Sequence, residues 1–199
     1  MERNDLARGV FVSVLLPIAI VSTGCATAVG EAGRSEEALS ESNCPADTPD
    51  VLAPAPDQRL RSIVIGDGVQ IYDCTTLGWV FRAPEAVLLD PGGAVVGTHY
   101  AGPSWEADDG SIIRAARVSG ATVDPDSIPW LLLGVVSQSG DGRFANVSNI
   151  QRLNTVGGKA PASGCDATTI GAVARVPYTA DYFLYQTDNG GTGNNPQCR

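Results

Sequence analysis

Two stretches decide the class of fold: Ser62-Ile63-Val64-Ile65-Gly66-Asp67-Gly68-Val69-Gln70-Ile71-Tyr72-Asp73-Cys74, and Ala86-Val87-Leu88-Leu89-Asp90-Pro91-Gly92-Gly93-Ala94-Val95-Val96-Gly97-Thr98-His99. In each, two short runs rich in β-branched residues flank a glycine-containing break, the pattern of an antiparallel hairpin. The first predicts strands over Ser62–Ile65 and Val69–Cys74 around Gly66-Asp67-Gly68. The second predicts Ala86–Asp90 and Ala94–His99, with Pro91 presetting one turn dihedral and a glycine supplying the next. Further candidate strands are Trp79–Ala83, Ile112–Ser119, Trp130–Ser139, Asn146–Leu153, Ala172–Tyr178 and Ala180–Tyr185. Ten-residue amphipathic helical patterns are missing between them, which argues against parallel strand-helix-strand units. The expectation is an all-β antiparallel sandwich or barrel of about 8 to 10 short strands. The apolar run Ile128–Val136 loses alternation and is expected to be the central strand, covered on both faces.

Composition agrees. The 199 residues, 43% of them hydrophobic and 18% charged, suit one globular domain, and 23 glycines with 13 prolines exclude a bundle of long helices. A net charge of -9 opposes sequence-independent binding to nucleic-acid phosphates or anionic lipid heads. Neutral, cationic or metal-like partners are expected, and no nucleic acid.

The first residues read as an export signal. Arg3 and Arg8 precede an apolar run, Val10–Val21, that is too short to span a bilayer and has the length of a signal-peptide core. It ends in Val21-Ser22-Thr23-Gly24-Cys25, which resembles a bacterial lipobox, although Ser22 stands where a larger aliphatic residue is commoner. Residues 1–24 are therefore expected to be removed and Cys25 to carry lipid. That places the protein in the bacterial cell envelope, with the membrane as a partner through the lipid. From Ala26 to Asp57 the chain is rich in Ala, Glu, Ser and Pro and reads as a flexible tether, since it buries too little to offset its chain entropy. Residues 58–199 form the β domain, with a Gly/Asn-rich tail. With Cys25 lipidated, Cys44, Cys74, Cys165 and Cys198 remain as an even set, so two disulfides are expected in one of three connectivities.

The densest polar and aromatic cluster is His99-Tyr100-Ala101-Gly102-Pro103-Ser104-Trp105-Glu106. A catalytic reading makes His99 a general base oriented by Glu106, Asp108 or Asp109, because imidazole titrates near neutrality and needs a partner to fix its tautomer. A metal reading draws on His99, Asp108 and Asp109, with Asp67 or Asp73 brought in by the fold. One histidine limits such a site to a single imidazole plus oxygen ligands. The preferred reading is a strand-end histidine bonded to a neighbouring turn, with Trp105 covering an edge of the core, since a lone histidine without partner spacing is not a site. Gly102-Pro103-Ser104-Trp105-Glu106 lacks the second glycine of a nucleophile elbow. Val156-Gly157-Gly158-Lys159-Ala160 lacks the spacing of a phosphate-binding loop. Gly66-Asp67-Gly68 lacks the third glycine of a dinucleotide fingerprint, so no cofactor is expected. Asp108-Asp109-Gly110-Ser111 and Asp188-Asn189-Gly190-Gly191 read as solvated turns rather than calcium loops.

An ordered set of motifs carries a resemblance. Gly66 through Cys74 is followed by Trp79 with Pro84-Glu85-Ala86, then by His99 through Glu106 and Ile128-Pro129-Trp130-Leu131-Leu132-Leu133. After these come Ile150-Gln151-Arg152-Leu153-Asn154-Thr155, Gly157-Gly158, Gly164-Cys165-Asp166 and Val176-Pro177-Tyr178-Thr179-Ala180-Asp181-Tyr182. Over Asp57 to Gln186 the chain resembles the secreted bacterial and fungal family filed as domain of unknown function three-four-five-five. Some fungal members carry a malate-dehydrogenase label, which the missing dinucleotide fingerprint does not support here. The resemblance implies an exported, largely β domain whose activity is not established. It also implies a Cys74–Cys165 bridge, leaving Cys44 with Cys198 to tie the two tails together, a closure worth about 4 to 5 kcal/mol in the chain-entropy model. The expected function is a non-catalytic envelope module for an unknown ligand or envelope partner. The alternative is an enzyme or metal-dependent protein centred on His99 and Glu106.

Overall fold

A computed structural model describes residues 48–187. After one 3-10 turn, Asp50–Leu52, the chain runs through eight strands: β1 Gln58–Thr75, β2 Gly78–Leu89, β3 Val95–Tyr100, β4 Ser104–Ala107, β5 Ile112–Ala121, β6 Trp130–Ser139, β7 Val147–Gly157 and β8 Val173–Thr187. Each strand pairs antiparallel with the next, and β8 returns to β1 over Gln58–Asp73, so the sheet closes on itself. Of the two architectures expected, the chain adopts the barrel. Short connections make sequential neighbours pair, and closure removes the sheet edges that would otherwise template aggregation.

Several predicted boundaries are corrected. Gly66-Asp67-Gly68 is no turn: it lies mid-strand in β1, where Gly66 faces Leu88 and Ala180 and Gly68 faces Ala86 and Tyr178. The glycines serve close approach instead of reversal. A Cβ on Gly68 would sit 2.1 Å from Glu85 O, and one on Gly66 would sit 2.7 Å from the Tyr182 ring. Trp79–Ala83 and Ala86–Asp90 are one strand, β2, which continues through Pro84. Pairing with β3 begins only at Ala86, so the proline sits where β2 is hydrogen-bonded on one side alone. Ala172–Tyr178 and Ala180–Tyr185 likewise fuse into β8, and the four-residue β4 carried no predicted strand. The turn at Pro91-Gly92-Gly93 forms as expected: Asp90 Oδ1 accepts from Gly92 N and Ala94 N, both at 2.9 Å, and Gly93 takes φ +85°.

The barrel packs on two faces. Inward, Val64, Leu88, Val96, Trp105, Ile113, Leu133, Ile150, Tyr182 and Leu184 form the interior. Outward, Trp130, Leu132, Leu153, Phe183 and Tyr185 form a second cluster that receives Leu52, itself fully buried. Within the stretch read as tether up to Asp57, Thr48, Leu52 and Pro54 are buried, while Asp50, Val51 and residues 55–57 are exposed. The small number of apolar residues in that segment concealed how deeply one of them, Leu52, docks. Buried Gln151 fixes this brace, donating from Nε2 to Leu52 O at 2.7 Å while its Oε1 accepts from Tyr185 Oη at 2.6 Å. The central strand expected over Ile128–Val136 is covered on both faces only from Trp130 to Leu133, and Val136 is 68% exposed. The reason is that β7 pairs with β6 only from Leu131 to Gly134.

A disulfide joins Cys74, at the end of β1, to Cys165 in the β7–β8 connection, the pairing that the family resemblance implies. Cys25, Cys44 and Cys198 lie outside the described residues, as does the turn at Asp188.

Candidate functional site

Alternation along eight strands turns one side chain in two toward the barrel axis. In the half of the barrel nearer the β1–β2, β3–β4, β5–β6 and β7–β8 connections, these side chains leave a cavity of about 450 Å³. It is bounded by Gln70 of β1, Pro84 of β2, His99 of β3, Trp105 of β4, Ala115 of β5, Leu131 and Leu133 of β6, Arg152 of β7 and Tyr182 of β8. Small residues border the space: Ala115 on β5, with Gly102 and Pro103 at the β3–β4 end. Irregular pairing in β5 at Arg114/Ala115 and Arg117/Ser119 lets Ala115, Ala116 and Arg117 all border it in succession. Sites for small ligands run to about 300–1,000 Å³ and combine apolar walls with a few placed polar groups. An eight-stranded barrel interior is wide enough for one such ligand.

His99 is one of those polar groups. Its ring stacks on Trp105 at 4.1 Å between centroids and meets the Tyr182 ring edge-on at 5.3 Å. Nδ1 lies 2.7 Å from Ser104 O; a carbonyl only accepts, so Nδ1 carries the proton and Nε2 the lone pair. Burial disfavours the imidazolium and pushes the His99 pKa down to about 3. The ring is therefore neutral near neutral pH.

Above it, Arg152 donates from Nε and Nη2 to Pro129 O, at 3.2 and 2.7 Å. Burial pulls its pKa down, while the hydroxyls of Tyr182, Tyr178 and Tyr72 act to raise it. The three tyrosines are desolvated and held in protonated form: Tyr178 and Tyr182 share a hydrogen bond of 3.2 Å, and Tyr72 donates to Gly158 O at 2.7 Å.

The residues singled out from sequence are dispersed. Because His99 pairs with Trp105 and Thr98 with Glu106, the His99 ring and the Glu106 carboxylate point to opposite faces of the sheet. Glu106 Oε2 instead accepts from Tyr100 Oη at 2.8 Å on the outer face. Asp108 is exposed and its backbone N donates to Val96 O. Asp109 binds the Ser111 hydroxyl at 2.6 Å and the backbone N of Ser111 and Arg143 at 2.9 and 2.8 Å. These donors, the Ser111 hydroxyl foremost, hold its carboxyl down to about 2. It staples the β4–β5 turn to the β6–β7 connection, at the end of the barrel away from the cavity. Asp67 is exposed between Val87 and Thr179, and Asp73 pairs with Arg82 at 3.2 Å. Among the described residues, no three His, Cys, Asp or Glu side chains converge as metal ligands. Of the predicted candidates only His99 borders the cavity, and it does so without a carboxylate partner. His99 lies near the end of β3 and bonds Ser104 O at the start of β4, across the β3–β4 turn.

Arg152, Gln70 and Tyr182 escaped sequence reading. A signal for Arg152 existed: in Ile150-Gln151-Arg152-Leu153 it shares the face of Ile150, an interior position, so a charge stands in core register.

Residues 54–186, two thirds of the chain, match the profile of one protein family, described as protein of unknown function (DUF3455). No curated protein and no solved structure gives a match.

Proposed function

The chain belongs to the DUF3455 family, and from that premise we propose that it is an exported, lipid-anchored, non-catalytic barrel that binds a small molecule in its interior. The observation that carries the reading is the cavity of about 450 Å³, lined by residues from all eight strands and walled mainly by apolar groups. Export is supported by the signal-like Val10–Val21 run, by the lipobox ending at Cys25, and by the Cys74–Cys165 disulfide, a bond that persists in oxidising compartments. The cavity holds no nucleophile beside a base. Its one imidazole, with a pKa of about 3, is too weak a base for proton abstraction near neutral pH.

The test uses a neutral apolar fluorophore, N-phenylnaphthylamine, titrated into the full chain. Saturable enhancement of its emission is expected, with quenching of the Trp105 indole that walls the cavity. Ala115→Phe fills the space with a ring and should weaken binding about tenfold or more while the far-ultraviolet dichroism stays that of a β protein. Undiminished binding in a folded Ala115→Phe protein, or no saturable binding at all, would refute the reading.

A further inference from the structure

Resting on the cavity as a ligand site, we propose that its ligand is a small aromatic or apolar monoanion of the carboxylate type, with the anionic head received by Arg152, Trp105 and Gln70. Among the polar groups around the cavity donors outnumber acceptors, even with the lone pair on His99 Nε2 counted. Trp105 is 1% exposed and its Nε1–H has no acceptor; Gln70 is 3% exposed, and its amide has the Tyr178 hydroxyl beside it but no formed hydrogen bond from Nε2. Both side chains border the cavity. Buried donors left without acceptors are costly, so native proteins pair nearly all of them. Arg152 adds more, since a guanidinium offers five N–H groups and its bonds to Pro129 O and its contact with the Tyr182 hydroxyl leave others free.

Charge points the same way as hydrogen bonding. No Asp or Glu borders the cavity, and the groups acting on the Arg152 charge are three tyrosine hydroxyls and a second guanidinium, that of Arg117. Among the described residues the side-chain ion pairs are Arg82–Asp73 and Arg175–Glu85, so Arg152 has no carboxylate to answer it. A cation drawn this far from water is stabilised by an opposite charge, and a planar carboxylate accepts from a guanidinium through two parallel bonds. The remaining walls, Leu131, Leu133 and the stacked His99–Trp105 pair, suit a flat apolar body. The proposed ligand departs from the neutral or cationic partners that the net charge of -9 led us to expect. The net charge governs the outer field, whereas the cavity wall is set by the few residues that face inward.

The deciding measurement compares naphthalene carboxylate with naphthalene carboxamide, which keeps the ring and a carbonyl acceptor but has no charge. Binding to the full chain is followed by calorimetry at neutral pH. The carboxylate should bind at least about tenfold more tightly, and Arg152→Gln should collapse that preference. Arg117→Gln, at the exposed rim, should narrow it while leaving the core intact. Equal affinity for the two compounds, with N-phenylnaphthylamine still bound, would overturn the anion inference and leave the cavity reading standing. A carboxylate preference unchanged in both folded variants would also overturn it, since the charge would then be read elsewhere. Failure of all three compounds to bind would remove the cavity reading together with the inference.

Discussion

His99 is neutral in the barrel because a charged ring would sit between Trp105 and Tyr182 with no anion to answer it. That neutrality makes a pH prediction, and its sign follows from proton linkage. The folded pKa of about 3 lies below the ordinary imidazole value of about 6.5, so between these limits the unfolded chain takes a proton that the folded chain refuses. Stability should be fully present above about pH 6.5 and fall by about 1.4 kcal/mol per pH unit as the pH drops toward 3. Because His99 is the only histidine in the chain, the slope between about pH 6.5 and 5 reports on it almost alone. Urea unfolding across that interval should show the slope in the parent and a much flatter profile in His99→Gln. The variant itself should be about 1–3 kcal/mol less stable at neutral pH, the scale of a lost buried hydrogen bond. Equal slopes would mean that the ring is solvated in the folded protein.

At the scale of elements, the 3-10 turn Asp50–Leu52 is short and marginal by itself, yet it closes the outer face of β6, β7 and β8. Its hold is the Leu52 side chain in the outer cluster and the Gln151 amide on its carbonyl. Leu52→Ala should therefore cost about 2–5 kcal/mol, as for other fully buried leucines. The same substitution should expose residues 48–57 to proteolysis in limited digestion while leaving naphthylamine binding unaltered, because the brace lies outside the barrel wall. The disulfide fastens a different element, the long β7–β8 connection, against the end of β1 through a crosslink spanning 91 residues. Cys74→Ala should cost about 2–5 kcal/mol in thermal or denaturant unfolding. It should also leave Cys165 as the newly free thiol, read by mass spectrometry of a non-reduced digest. Recovery of Cys165 joined to Cys44 or Cys198 in the parent would contradict the pairing.

For the whole molecule, the proposal of a lipid-anchored barrel predicts that Cys25→Ser abolishes partition into detergent, since stable attachment depends on the hydrocarbon chains. The barrel should bind the neutral probe equally well in that soluble form. Persistent detergent partition of Cys25→Ser would remove the anchor and leave the cavity untouched.

The sequence by itself determined that the fold is antiparallel β, because glycine and proline punctuation and two-residue alternation are local properties of the chain. The Pro91-Gly92-Gly93 turn and the Trp130–Ser139 strand were legible for that reason. It did not determine that Gly66-Asp67-Gly68 runs straight through β1. Those glycines answer to Tyr182 and to the β2 backbone at Glu85, and such crowding exists only once the ring has closed. Nor did it reveal the cavity. His99, Arg152, Trp105, Gln70 and Tyr182 come from five different strands, and only the barrel register turns them toward one space. The Glu106 carboxylate, close to His99 in the chain, was sent to the opposite face by the same register. Local alternation fixes that a residue faces one side or the other; which residues then meet is decided by strand pairing across the closed sheet.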